Sequence, residues 1–408
     1  MMKSVLFFLI SIFIVCSASA QSKDFTYTFY GFIRGDVFYD TRANSAPIEG
    51  IFHLYPLDKM PDANGKDLHA TPSASFNVFT TRLGVDLTGP RLGSARSSAK
   101  VETDFGGFSP SNTMLRIRQA YVQLHWEKYS LLLGQTWHPL FGSVSPNILG
   151  LSTGSPFQPF NRSPQFRFEY MPHKIKLTAA TIWQLQYTSN GPSGGSSTYL
   201  KNSCVPELYI GVDYISSTGW LAGAGMHMIS LKPRTVSSWK EQSYKVEERM
   251  TTFSYEAHVK YTGRSFTVAA KTFLASALDH TLMMGGYGIR SIDPANGEQQ
   301  YTPFRHSTSW INFTYGNKWK PALFIGYSKN LGTTHDMVSS EKYGRGLDID
   351  QLFTLNASIS YNLPHWRIGI EYSPSTAYYG SPNARNGKIE DTHSVTNHRL
   401  VGLLVYLF

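Results

Sequence analysis

Three segments of the chain put charge on one face of a strand and apolar bulk on the other. Gln165, Arg167 and Glu169 alternate with Phe166, Phe168 and Tyr170. Ser254, Glu256, His258 and Lys260 alternate with Phe253, Tyr255, Ala257, Val259 and Tyr261. Arg367 and Glu371 alternate with Trp366, Ile368, Ile370 and Tyr372. Successive side chains of a strand point to opposite faces, so each set shares one surface. A soluble β protein needs an apolar interior, yet here the inner faces would carry the charge. A closed barrel in a bilayer reverses the requirement, with apolar side chains toward lipid and polar ones toward water. An Arg or Lys facing lipid at mid-membrane costs about 2–4 kcal/mol, which sets the direction. The expected fold is all-β, a transmembrane antiparallel β-barrel.

The pattern extends along the chain. Residues 30–42 turn Phe32, Arg34, Asp36, Phe38 and Asp40 inward, and Ile33, Val37 and Tyr39 outward. Residues 76–87 turn Arg82 and Asp86 inward, with Phe79, Leu83, Val85 and Leu87 outward. A tight turn at Gly89-Pro90 then leads to residues 95–105, where Arg96, Lys100, Glu102 and Asp104 share the inner face. In residues 115–126, Gln119, Tyr121, Gln123 and His125 face inward. Strict alternation would leave Arg116 and Arg118 toward lipid; either a bulge turns them in, which is the favoured reading, or they lie above the hydrocarbon.

Counting such segments gives sixteen strands. Seven tight junctions are expected, near Gly89, Lys128, Pro172, Thr218, Gly263, Lys318 and Pro364, and eight longer ones alternate with them. That parity puts both chain ends on the short-turn side, as a periplasmic start requires. Trp126, Trp220, Tyr261, Trp319, Tyr361, Trp366 and Phe408 collect beside the tight turns, where a periplasmic aromatic girdle belongs. Residues 138–164 form a long loop whose one charged residue is Arg162. A structureless loop of this length is usually functional or disordered. Phe141, Phe157 and Phe160 argue against exposure, so this third loop is expected to fold into the lumen.

Residues 1–20 read as a secretory signal peptide and residues 21–408 as a single barrel domain. Lys3 supplies the positive start, Val5 to Val15 the apolar run and Ala18-Ser19-Ala20 the cleavage site. The run is too short to span a bilayer as a helix, and no other stretch reaches that length. The leader takes Cys16 with it and leaves Cys204 alone, so no intramolecular disulfide is expected. Loss of Lys3 lowers the 37 Lys and Arg to 36, against 28 Asp and Glu, a net charge of +8. That balance suits anionic lipopolysaccharide at the rim, through loop residues such as Lys240, Lys245 and Arg249.

The last ten residues, RLVGLLVYLF, place Leu400, Gly402, Leu404, Tyr406 and Phe408 on one face. They resemble the closing strand of a bacterial outer-membrane barrel. In such proteins the terminal aromatic strand is read by the barrel-assembly machinery, which implies Tyr406 and Phe408 as the assembly signal. YGFIRGDVFYDTR at 30–42, RIRQAYVQL at 116–124 and LLLGQTW at 131–137 resemble the DcaP-like branch of trimeric sixteen-stranded porins. The helical stalk that such proteins often carry has no room in Ser22 to Thr28. The resemblance implies a homotrimer in the outer membrane, reached through the periplasm. It also implies diffusion of small anionic solutes such as dicarboxylates past an infolded third loop.

A pore selects by charge at close quarters, and rings of Arg and Lys favour anions. The expected lining or constriction residues are Arg34, Asp36, Arg82, Asp86, Lys100, Glu102, Arg116, Arg118, Arg162, Arg167 and Glu169. The same charges would also pair across strands and support the wall with no role in selection. Gly150-Leu-Ser152-Thr-Gly154 matches a nucleophile pattern, but that motif needs a strand-turn-helix elbow and this copy lies mid-loop. Asp62, Asn64 and Asp67 lack the ordered spacing and closing Glu of a calcium loop. The histidines show no H-E-x-x-H or paired spacing. No catalytic residue, cofactor, metal site or nucleic-acid partner is expected. Two rival readings remain: an outer-membrane barrel hydrolase, and an adhesive or structural barrel with a closed lumen.

Overall fold

The computed structural model describes residues 25–45, 47, 52–109 and 112–408. The expected leader and its cleavage after Ala20 lie outside the described residues. Sixteen antiparallel strands close into a barrel. They are β1 (Thr26–Asp40), β2 in two pieces (Ser73–Asn77 and Arg82–Leu92), β3 (Ala95–Ser109), β4 (Asn112–His125) and β5 (Tyr129–Trp137). β6 (Arg162–Tyr170), β7 (Ile175–Ile182), β8 (Glu207–Ile215), β9 (Trp220–Leu231), β10 (Met250–Thr262) and β11 (Phe266–Ser276) follow. β12 (Gln299–Tyr315), β13 (Trp319–Thr333), β14 (Ile349–Asn362), β15 (Trp366–Pro382) and β16 (Ile389–Leu407) complete the wall. Among the described residues, helix is confined to α1 (Thr198–Ser203) and a 3-10 turn, Asp279–Thr281.

The barrel closes where β1 pairs with β16, from Phe32 opposite Leu407 to Asp40 opposite Arg399. Gly31 and Phe408 exchange backbone hydrogen bonds of 3.0 and 3.1 Å. A Cβ on Gly31 would stand 2.5 Å from the Arg82 carbonyl oxygen and 2.7 Å from the Phe408 ring, so the terminal aromatic covers a position only glycine fits. Tyr406 and Phe408 both face outward. Deleting Phe408 removes these bonds and the ring. The expected result is a lower yield of folded barrel in outer-membrane fractions, read as the heat-modifiable band on unheated gels. An undiminished yield would take the assembly role away from the terminal residue.

The alternation sorts as the physics requires. Ile33, Val37, Leu133, Tyr255, Ile370 and Leu404 are exposed on the outer surface, while Asp36, Glu102, Asp104, Glu256, Lys271 and Glu371 are buried inside. A continuous apolar belt around a polar interior is the surface of a multi-pass membrane barrel. Four cross-strand pairs ring its short-turn end: Trp126–Tyr129, Trp220–Tyr261, Trp319–Tyr361 and Trp366–Tyr406, with centroids 4.7–4.8 Å apart.

The structure corrects the sequence reading at three places. The first tight turn is at Gly93, not Gly89-Pro90; the strand continues to Leu92 over a bulge between Gly89 and Leu92. The longer junction expected between residues 105 and 115 is largely strand, because β3 runs on to Ser109 and β4 starts at Asn112, its partner. Phe79 does not face lipid. β2 breaks between Asn77 and Arg82, and Phe79 turns to pack beside Phe52 and Phe160. The first long loop also enters the barrel. Leu54 and Tyr55 join Val144, Phe157, Trp310 and Phe324 in the largest apolar cluster, so the core of this molecule lies inside its lumen.

Candidate functional site at the barrel constriction

The third loop leaves β5 at His138 and returns at Asn161, where the His138 N–H donates to the Asn161 carbonyl at 2.9 Å. That narrow neck sends the intervening chain across the barrel. Gly154 has φ +91°, and a Cβ there would meet Pro146 at 2.6 Å, so glycine lets the loop double back tightly. Gln158 Nε2 donates to the Phe141 carbonyl at 2.9 Å, and Trp310 Nε1 donates to Gln158 Oε1 at 3.0 Å. The far side is clasped by the opposite wall. The Gly150 N–H donates to Glu371 Oε1 at 3.1 Å, Arg34 Nη2 donates to the Leu149 carbonyl at 2.7 Å, and Lys271 Nζ donates to the Leu140 carbonyl at 2.7 Å. Buried polar groups in a water-poor interior need such partners, so these bonds hold the loop in one place. Phe157 is buried against Phe324, and Phe160 packs against Trp137 and Phe52, whereas Phe141 stacks on Trp137 at 4.1 Å.

Beside the loop, basic groups converge. The register between β3 and β4 shifts at Glu102/Thr103, leaving Arg118 without an opposite residue, and both Arg116 and Arg118 point inward. Arg116 bonds Asp104 at 2.8 Å, and Arg118 bridges Glu102 and Asp104 at 2.8 Å each. Arg82 stands 3.8 Å from Glu102, over the Phe32 ring. Arg82, Arg116 and Arg118 line a cavity of about 140 Å³ with Trp137, Leu151 and Phe160. Arg162 lies behind it, fully buried, its guanidinium 4.7 Å from the Trp137 centroid and 5.0 Å from that of Phe160. It donates to the Tyr187 hydroxyl at 2.7 Å, while its Nε and Nη1 have no hydrogen-bond partner among the described residues. Four guanidinium groups share two carboxylates here, a surplus of two positive charges.

The other expected residues stand apart from this cluster. Arg34 is paired with Asp36 at 2.7 Å and serves the loop tip. Lys100 pairs with Asp86 at 2.8 Å, nearer the short-turn end. Arg167 donates to the Trp137 carbonyl and to Gln165 Oε1, and Glu169 lies 3.9 Å from Lys176. Asp62 and Asp67 accept from backbone N–H groups of their own loop, which accounts for their spacing as turn geometry. At the rim, hydrogen bonds from Lys232 and Lys245 hold the Glu247 carboxyl down to about 2, so part of the loop charge is neutralised.

Several residues that matter here had no sequence signal as a group. Glu371 sits on an inner face by alternation, but its bonds to a loop 221 positions away come only with closure. His138, His227, His280 and Glu207 meet in one buried cluster.

No protein-family model and no curated protein matches the chain. Solved structures of similar fold do exist. The outer membrane channel DcaP of Acinetobacter baumannii is 17% identical with a TM-score of 0.69, over 96% of this chain and 99% of that one. OmpT, an outer membrane protein of Vibrio cholerae in its trimer form, is 12% identical with a TM-score of 0.54, over 94% and 100%. Salmonella typhi OmpF in complex with daunomycin is 10% identical with a TM-score of 0.52, over 94% and 97%. At these identities the likeness is one of fold, and the fold is the porin-like outer-membrane barrel.

Proposed function

We propose that this chain is an outer-membrane diffusion channel for small hydrophilic solutes, with a preference for anions such as dicarboxylates. One observation carries the reading: beside a loop that narrows the lumen, Arg82, Arg116 and Arg118 line a cavity with Arg162 buried behind them, and the four share only Glu102 and Asp104. A guanidinium offers paired donors that match a carboxylate, and a surplus of two leaves that capacity unspent on the protein's own acids. A further cavity of about 500 Å³ lies between loop residues 145–148 and the wall near the Gly263 turn. The similar folds of an outer membrane channel and of a trimer-form barrel support a channel assembled as a homotrimer. Insertion would rest on the assembly machinery reading Tyr406 and Phe408, and the rim would meet lipopolysaccharide. Residues 1–20 would be removed on export. The chain catalyses nothing in this reading; Ser152 lies in a turn of the loop, its carbonyl accepting from the Ser155 N–H.

The test is conductance of the purified protein in planar bilayers, with the reversal potential taken across a salt gradient. Discrete channels that favour the anion at low salt are expected. Absence of conductance would favour a closed structural barrel, and cation selectivity would remove the anion preference.

A further inference from the structure

We propose that Glu207, His227 and His280 bind a divalent transition-metal ion of the zinc class, with His138 positioning the carboxylate. Glu207 opens β8 and His227 lies on β9, both facing inward. His280 sits in the 3-10 turn and His138 at the root of the third loop. All four side chains are fully buried. The Nε2 atoms of His138, His227 and His280 stand 3.3, 3.0 and 3.1 Å from the same oxygen, Glu207 Oε2. The four ligand atoms all lie within 4.8 Å of one another. Around a tetrahedral ion with bonds of about 2.0–2.1 Å, neighbouring ligand atoms are about 3.3 Å apart.

A count of lone pairs separates this arrangement from a plain hydrogen-bonded cluster. The Leu140 N–H donates to His138 Nδ1 at 3.1 Å, so the neutral His138 ring carries its proton on Nε2 and gives it to Glu207. Gln184 Nε2 donates to Glu207 Oε1 at 2.9 Å. Oε2 has two lone-pair directions and three imidazole nitrogens aimed at it. With His138 occupying one, His227 and His280 cannot both donate to the other. A cation between them takes the remaining Oε2 lone pair and the two bare Nε2 atoms. Nδ1 of His227 is buried without a hydrogen-bond partner among the described residues, so no neighbour fixes its tautomer and the ion would, while the Ala277 backbone beside His280 Nδ1 favours the tautomer that leaves Nε2 bare for the ion. Imidazole ligands suit zinc, cobalt, nickel or iron, whereas calcium and magnesium need oxygen cages. The ion would tie the wall to the 3-10 turn, which already accepts the Phe160 N–H on the Thr281 carbonyl at 2.7 Å.

The experiment uses full-length protein, refolded into detergent with excess Co²⁺ so that burial does not bar entry. About one ion per chain is expected after desalting, with a tetrahedral ligand-field absorption that Zn²⁺ displaces. His227→Ala, His280→Ala and Glu207→Gln should each lose stoichiometric binding. His138→Ala should weaken it about 10–100-fold, and His138→Gln, which keeps a donor, should recover most of that loss. Heat-modifiable mobility identifies the folded fraction in every case. Folded wild-type protein that retains no ion, or folded His227→Ala and His280→Ala that bind as wild type does, would overturn the proposal.

Discussion

Replacing residues 140–159 by a short glycine-serine link is expected to raise single-channel conductance several-fold and to admit larger solutes. The neck makes the experiment clean. His138 and Asn161 are already hydrogen-bonded, so a short link spans the gap and the strands on either side keep their register. The loop and wall contribute buried apolar side chains to a common cluster, among them Val144, Phe157, Trp310 and Phe324. Burying one such side chain stabilises by about 1.5–3 kcal/mol, so the deletion lowers thermal stability as well. It does not cost the barrel its closure, because every wall strand keeps two hydrogen-bonded neighbours and no edge is opened. Glu371, Lys271 and Arg34 lose their loop partners but face water rather than an apolar core, which spares the usual penalty for an unpaired buried charge. Bilayer recordings and liposome swelling with sugars of graded size measure the outcome. Conductance equal to that of wild type would mean that the loop is not the constriction.

The second large effect is on selectivity. Arg82→Gln should reduce the preference for anions at low salt, and Arg82→Glu should abolish it. Arg82 is chosen because its charge is the least compensated of the three at the cavity: its nearest carboxylate is 3.8 Å away and its Nε has no hydrogen-bond partner among the described residues. Removing Arg118 instead would take from buried Glu102 and Asp104 the guanidinium that bridges them, leaving Asp104 to Arg116 and Glu102 to Tyr30 and Gln119, so lower stability would confound the selectivity readout. A unit charge at about 5 Å acts on a passing ion with about 0.8 kcal/mol even in bulk-water dielectric, or about fourfold in local concentration. Arg82→Glu changes two units and brings the cluster from a surplus of two to neutrality. The shift should fade at high salt, since the screening length falls from about 10 Å at 0.1 M to about 3 Å at 1 M. Arg167→Glu should disturb the loop root more than selectivity, because that guanidinium is engaged with the Trp137 carbonyl and Gln165. A reversal potential indifferent to Arg82→Glu at low salt would refute the assignment of this arginine and leave the channel reading in place.

Much of this molecule was legible as a one-dimensional pattern. Side-chain direction in a strand has a period of two and depends only on neighbours, so alternation such as Glu256–Ala257–His258–Val259 declares its inner and outer faces without any tertiary information. The strand count, the closing aromatic strand and the third loop's entry into the lumen follow from that pattern, from loop lengths and from the scarcity of charge in residues 138–164. The cost of two arginines facing lipid left two ways out, a bulge or a place above the hydrocarbon, and the register shift at Arg118 is the first of them. Alternation is silent where a strand breaks. Phe79 reads as lipid-facing, yet the gap between Asn77 and Arg82 resets its direction, and Phe52 and Phe160 supply a pocket that no local rule contains.

What the tertiary structure alone decided is which inward residues meet. Glu207 and His280 are 73 positions apart, and Arg34 and Leu149 are 115 apart. Their contact depends on barrel curvature, on strand register and on loops that turn back into the lumen. The sequence by itself determined that charge goes inside. Arg34 meets Asp36 two positions along its own strand and Lys100 meets Asp86 across one hairpin, whereas only the folded wall and loop bring Arg162 behind Arg82, Arg116 and Arg118, with too few carboxylates among the four. The physical reason is one of range: the side-chain period and pairs such as Arg34–Asp36 are set within a few residues, whereas the surplus charge is a property of space shared by segments far apart in the chain.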